Sequence, residues 1–321
     1  PMDMSDTFEA LSPDAVLSAC EQALSPIGFE PVVTPYNSYI NRVFAVKSDD
    51  GDRFIAKFYR PGRWTRAAIE DEHQFLLDCA DADLPVVAPL ALEGGGTIAE
   101  SAGFLFSVYP FRSGRTFDIN SDDDYRRLGA LIGRLHGVSR RRAAPNRLTL
   151  HPVDLTLRMC ERLAASPSMH PEFASEFLDL STDVLNARSD EFSSFETIRI
   201  HGDCHRGNIL DRMDDGLLLI DFDDMMNGPA IQDLWLLLPD HMKLCPRERD
   251  LLLDGYTQFS TLDERSLSLV ETLRFMRIIY FLGWCETQKD DQLFREKNPD
   301  WGTRSFWVRE MEDLHYQADH I

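Results

Sequence analysis

Apolar positions follow two rhythms along this chain, and the rhythm changes part-way. Towards the N-terminus, short β-branched and aromatic runs are separated by turns. Asn41 to Lys47 and Arg53 to Tyr59 are predicted as two strands joined at the Asp49-Asp50-Gly51-Asp52 turn, and Phe104 to Tyr109 as a further strand ending at Pro110. A helix is predicted from Asp14 to Leu24 behind the Ser12-Pro13 start signal. A second follows Thr65, with Ile69, Glu72, Leu76 and Cys79 on one stripe beside Phe75. Beyond Pro110 the helical period dominates. Ser121 and Asp124 form a capping-box pattern ahead of Tyr125, Leu128, Ile132 and Leu135, and His136 ends that stripe as a packed or helix-end histidine. Arg140 to Arg142 then read as solvated charge near a helix C-terminus.

Further helical blocks are predicted over Leu155 to Ala165, Pro171 to Ala187 and Arg247 to Glu286, with an amphipathic tail from Trp301 to Ile321. Asp233 opens an apolar helix, LWLLL. One β-rich stretch interrupts this series. Ile209 to Arg212 and Leu217 to Ile220 read as a hairpin across the Asp214-Asp215-Gly216 turn. Prolines and glycines around Ser107 to Ser113 mark a boundary between the two regimes.

Composition narrows the function classes. With 321 residues, 43% of them hydrophobic, the chain can bury a substantial core and divide into two lobes. No apolar run is long enough to span a bilayer, and RFMRIIYFLGWC is interrupted by Arg274 and Arg277. The N-terminus shows no signal peptide, Pro1 before Met2 reads as a cloning scar, and six scattered cysteines without CxxC spacing suit a reducing cytoplasm. A formal net charge of −21 disfavours nucleic acid and anionic membrane as partners; it keeps the protein soluble and would attract basic substrates.

The candidate chemistry lies around the hairpin. Asp203, Asn208 and Asp221 stand at intervals of five and eighteen residues. That is a phosphoryl-transfer layout, in which the first Asp orients the acceptor hydroxyl while the Asn and second Asp hold magnesium against the ATP phosphates. Their hard oxygens suit Mg2+. A zinc site at His201 and His205 is disfavoured, because the pair lies in a loop with no clear third ligand. On the second strand, Lys57 faces either solvent or a partner. Glu72, set among apolar neighbours where an unpaired carboxylate is costly, is its natural partner, as in the lysine–glutamate pair that positions kinase phosphates; Glu70 points off the stripe.

The runs HGDCHRGNIL, IDFDD and GPAIQDLW resemble the aminoglycoside phosphotransferase and choline kinase superfamily. Over NSYINRVF, AKFYRPGRW, EDEHQF and RFMRIIYFLGW the chain is similar to stress-responsive bacterial serine/threonine protein kinases of that fold. Arg206 stands where the superfamily often has Pro. The resemblance implies an α+β, two-lobed protein-kinase-like fold. A β-rich nucleotide-binding lobe would span 1–110 and a helical catalytic lobe 111–321, with adenine at the Ser107–Ser113 hinge. It also implies that Ser38, in the glycine-free Pro35–Asn41 loop, contacts ATP, that Asp233 braces the catalytic loop, and that His205 stands where many kinases carry a phosphate-facing lysine. Asp203 and Asp221 would be catalytic, Lys57 and Glu72 would serve the nucleotide, and the acceptor would be a protein, another or itself. A small-molecule kinase of aminoglycoside, choline or homoserine type is the alternative. Asp223 and Asp224 could face a cationic peptide or an amino-sugar.

Overall fold

A computed structural model describes residues 8, 10–36, 38 and 40–321; Pro1, Met2 and, in the Pro35–Asn41 loop, Asn37 and Tyr39 lie outside them. The chain folds as two compact units. One runs to Thr116 and takes in Ile209–Asp221; the other comprises Phe117–Asn208 and Phe222–Ile321.

In the first unit, β1 (Phe29–Tyr36), β2 (Arg42–Ser48), β3 (Arg53–Phe58), β4 (Ala99–Ser101) and β5 (Phe104–Pro110) form an antiparallel five-stranded sheet, ordered β1-β2-β3-β5-β4. Side chains alternate across it. Ala56 and Phe58 of β3 therefore enter a core with Val16 and Cys20 of α1 (Pro13–Ala23), while Lys57 points to the other face, in register with Val43 and Ser107. Phe58 stacks on Phe106 at 5.0 Å. The second helix, α2 (Arg66–Asp81), starts where Thr65 Oγ1 accepts the Ala68 N–H. Strand β1 was not predicted, because Pro31 and Pro35 suppress the strand signal; it lies at the sheet edge, where proline is tolerated. Pro35 and Tyr36 thus end a strand rather than open a loop. A smaller sheet joins β6 (Arg115–Thr116), β8 (Ile209–Asp211) and β9 (Leu217–Leu219), so the expected hairpin is present.

The second unit is helical, with one small sheet of β7 (Ile198–Ile200) and β10 (Met226–Gly228). Its helices are α3 (Asp122–Ser139), α4 (Arg158–Ala164), α5 (Ala174–Phe192), α6 (Gln232–Trp235), α7 (Pro246–Thr257), α8 (Val270–Gln288), α9 (Gln292–Lys297) and α10 (Arg304–Ala318). The Ser121–Asp124 capping box is formed, and Leu128, Ile132 and Leu135 are buried. Helices α3 and α7 touch through glycines. A Cβ on Gly129 would fall 1.9 Å from the Leu252 carbonyl oxygen, and one on Gly255 2.0 Å from that of Arg126.

Two expectations change. The LWLLL segment forms only the four-residue α6, since the Asp233 carboxylate is committed to a different backbone segment and Pro239 prevents continuation. Arg140 is not merely solvated. Its guanidinium holds Glu196 at 2.9 Å and Ser260 at 2.7 Å.

Candidate active site

In the helical unit, β7 delivers the chain to a loop built on Asp233. One carboxylate oxygen accepts the His201 N–H at 2.7 Å and the other the Gly202 N–H at 2.9 Å. His136 Nε2 adds a contact at 3.0 Å, and its Nδ1 meets the Tyr256 hydroxyl at 2.9 Å, all fully buried. Asp233 therefore braces this loop, and His136 is a bonded core histidine. Gly202 has φ of 85°, and a Cβ there would fall 2.3 Å from the Asp224 carbonyl oxygen, so only glycine fits.

This loop presents Asp203. Its Oδ1 pairs with Arg277 Nη1 at 2.6 Å and its Oδ2 faces His205 Nε2 at 3.4 Å. Burial alone would raise the Asp203 pKa. The His205 contact and the Arg277 charge outweigh it and hold the carboxyl well below the usual carboxylate range. His205 Nδ1 accepts the Gly207 N–H at 3.0 Å, which places the neutral ring's proton on Nε2, toward Asp203. Asn208 is buried on the adjoining 3-10 turn and donates through Nδ2 to the Asp203 carbonyl at 2.9 Å. That bond spends an amide donor and keeps the Oδ1 acceptor available.

In the strand-rich unit, Lys57 Nζ lies 3.9 Å from Glu72 Oε1, with side chains 14% and 2% exposed, so the lysine is paired rather than solvent-facing. Beside this pair, Tyr59 and Tyr109 hydrogen-bond His73 at 3.0 and 3.1 Å, and His73 meets Thr97 at 2.6 Å. Those bonds fix α2, and hence Glu72, against the sheet. Glu70 is exposed. The Ser38 carbonyl accepts from Arg42 at 3.2 Å. Asp221 follows β9, exposed, with φ of 63°, a left-handed conformation that costs an aspartate energy and often marks a functional position.

Residues 32–270 match the phosphotransferase enzyme family. The chain belongs to that family. This phosphotransferase is 35% identical to "Stress response kinase A" of Escherichia coli O157:H7, over 97% of this chain and 94% of that protein. It is 36% identical to "Serine/threonine protein kinase RdoA" of Salmonella typhimurium, over 96% and 93%. An amicoumacin kinase solved with AMP-PNP, Ca2+ and Ami has a TM-score of 0.74 at 18% identity, covering 97% and 93% of the two chains. A microcompartment-associated aminopropanol kinase reaches 0.67 at 18%, covering 94% of each. The chain is a kinase with the α+β aminoglycoside phosphotransferase-like fold.

One residue beside Asp203 carried no weight in the sequence pattern. Arg277 served only to argue against a membrane helix. An arginine on an apolar helical face needs a partner, and that signal was present. Asp223 is buried, and partly exposed Asp224 accepts from the Tyr280 hydroxyl at 2.5 Å. His201 is buried, and its Nδ1 accepts the Asp203 N–H at 3.3 Å. No group of three or more His, Cys, Asp or Glu suited to a metal occurs among the described residues.

Proposed function

We propose that this kinase transfers the γ-phosphoryl group of Mg-ATP to a serine or threonine hydroxyl of a protein, another or itself, within a stress response. Its likeness to proteins named stress response kinase and serine/threonine protein kinase carries this reading, because it runs over 97% of the chain, beyond the family match at both ends. In this reading Asp203 orients the acceptor hydroxyl and takes its proton as the oxygen bonds to phosphorus. So acidic a carboxylate is a weak base, which suits a loose transition state in which the proton leaves late.

The donor set fits magnesium. Asn208 would offer its carbonyl oxygen and Asp221 its exposed carboxylate, and these hard oxygens would hold Mg2+, which when bound neutralises charge on the phosphates. Glu72 would set the direction in which Lys57 meets the phosphates. Ser38 would contact the nucleotide and the 107–113 hinge the adenine, making 1–110 the nucleotide-binding lobe and 111–321 the catalytic one.

Within the helical unit, the cavity beside Gly202 and Arg277 holds about 30 Å³. Drug-sized ligands fill roughly 300 Å³ or more. That cavity is too small to enclose an aminoglycoside. The test is labelled ATP offered with a generic basic protein and, separately, with choline, homoserine and an aminoglycoside. Label on serine or threonine is expected; stoichiometric phosphorylation of a small alcohol with no protein label would overturn the acceptor assignment.

A further inference from the structure

We propose that Arg277 determines acceptor specificity by screening water away from Asp203; the inference rests on Asp203 being the group that receives the acceptor's proton. Both oxygens of that carboxylate are engaged, unequally. Arg277 Nη1 forms a close ion pair of 2.6 Å with Oδ1, without a hydrogen-bond alignment to it, whereas His205 stands 3.4 Å from Oδ2. The guanidinium arrives on α8, where Leu273, Met276, Arg277 and Tyr280 share one face at helical spacing and line the small cavity with Gly202. Tyr280 ties the same face to Asp224 at 2.5 Å, so α8 holds this stretch of chain at two points and Arg277 is delivered to Oδ1 by an anchored helix.

A water molecule has only its own hydrogen bond with which to displace a charged donor. An alcohol carried on a larger molecule brings binding energy from the rest of that molecule. The Arg277 side chain is 34% exposed and has room to turn aside. Its remaining N–H donors then meet a carbonyl next to the acceptor hydroxyl, as the backbone of a seryl or threonyl residue provides. In the screened reaction the water oxygen bonds to the γ-phosphorus and the bond from that phosphorus to the bridging oxygen breaks. A water proton passes to Asp203, and ADP and inorganic phosphate leave.

The test is phosphate release from Mg-ATP with no acceptor added. Arg277→Met should raise the rate by about tenfold, the worth of one close ion pair. Arg277→Met with Asp203→Asn should fall to the rate of Asp203→Asn alone. Arg277→Gln replaces Arg277→Met if the latter melts early. An unchanged or lower rate in the Met or Gln variant, or a rise that survives Asp203→Asn, overturns the inference. Wild-type release by Asp203→Asn would instead overturn the role of Asp203 on which it rests.

Discussion

At Asp203 burial opposes the charge, and the His205 and Arg277 contacts prevail, so the carboxylate stays ionised across the neutral range. A neutral amide at this position would leave Arg277 facing a carbonyl oxygen and no proton acceptor. Lys57 and Glu72 follow the same logic in the other unit, since neither charge is tolerable there without its partner. Lys57→Ala should lower Mg-ATP affinity measurably, and adding Glu72→Ala should cost little more, because the two act as a unit. A double-mutant cycle in nucleotide binding checks this; additive losses would mean the pair does not act together. Asp221→Ala, which removes an anionic ligand, should abolish turnover and weaken magnesium-dependent ATP binding. Asn208→Ala should be milder, since water can replace a neutral ligand, and titrating magnesium at fixed ATP separates the two. Much of this was legible in residue spacing. A short interval put Asp203 and Asn208 on one turn, and an apolar stripe put Glu72 opposite Lys57. Arg277 was not, because its contact with Asp203 spans 74 residues and no periodicity reports it.

At the scale of elements, the helices were the most readable, because caps and stripes are local. The capping box at Ser121 and the Thr65 cap both formed. Proline hid β1, and the commitment of Asp233 to a distant backbone shortened α6. Close contact between α3 and α7 depends on Gly129 and Gly255, where an added Cβ would fall well inside van der Waals distance of a carbonyl oxygen. Gly129→Ala must push the helices apart and should destabilise by roughly 1–3 kcal/mol, an overpacking penalty visible as a lower melting temperature. Helix α8 is held to α10 through Glu271, which accepts from Gln317 at 3.0 Å and lies 2.7 Å from His241 and 3.2 Å from Arg274. Burial would raise the Glu271 pKa, but these partners lower it. Its contribution is therefore present above the unfolded glutamate value, about 4.3, and is lost as pH falls through the lower folded value. Glu271→Gln should reduce the difference in melting temperature between pH 7 and acid; an unchanged difference would show that the pair network carries no linkage.

For the whole molecule, fold class was readable from the catalytic motifs, whereas the grouping of Ile209–Asp221 with the strand-rich unit comes from pairings such as Arg115 with Asp211, far apart in sequence. No helix among the described residues is long and apolar enough to cross a membrane. All six cysteines are buried thiols. A net charge of −21 would draw a basic protein toward either unit without selecting a hydroxyl. In the proposed reading, Asp203 on the loop that Asp233 braces receives the acceptor's proton, and this is the central claim. The most direct measurement compares wild type with Asp203→Asn for transfer from labelled ATP to protein, alongside Mg-ATP affinity. Unchanged affinity is expected in a variant that still folds, though it melts lower for want of the Arg277 pair, with transfer lowered about 10²–10⁴-fold, the share of a positioned acid–base group; near wild-type transfer by folded Asp203→Asn would contradict the role of Asp203.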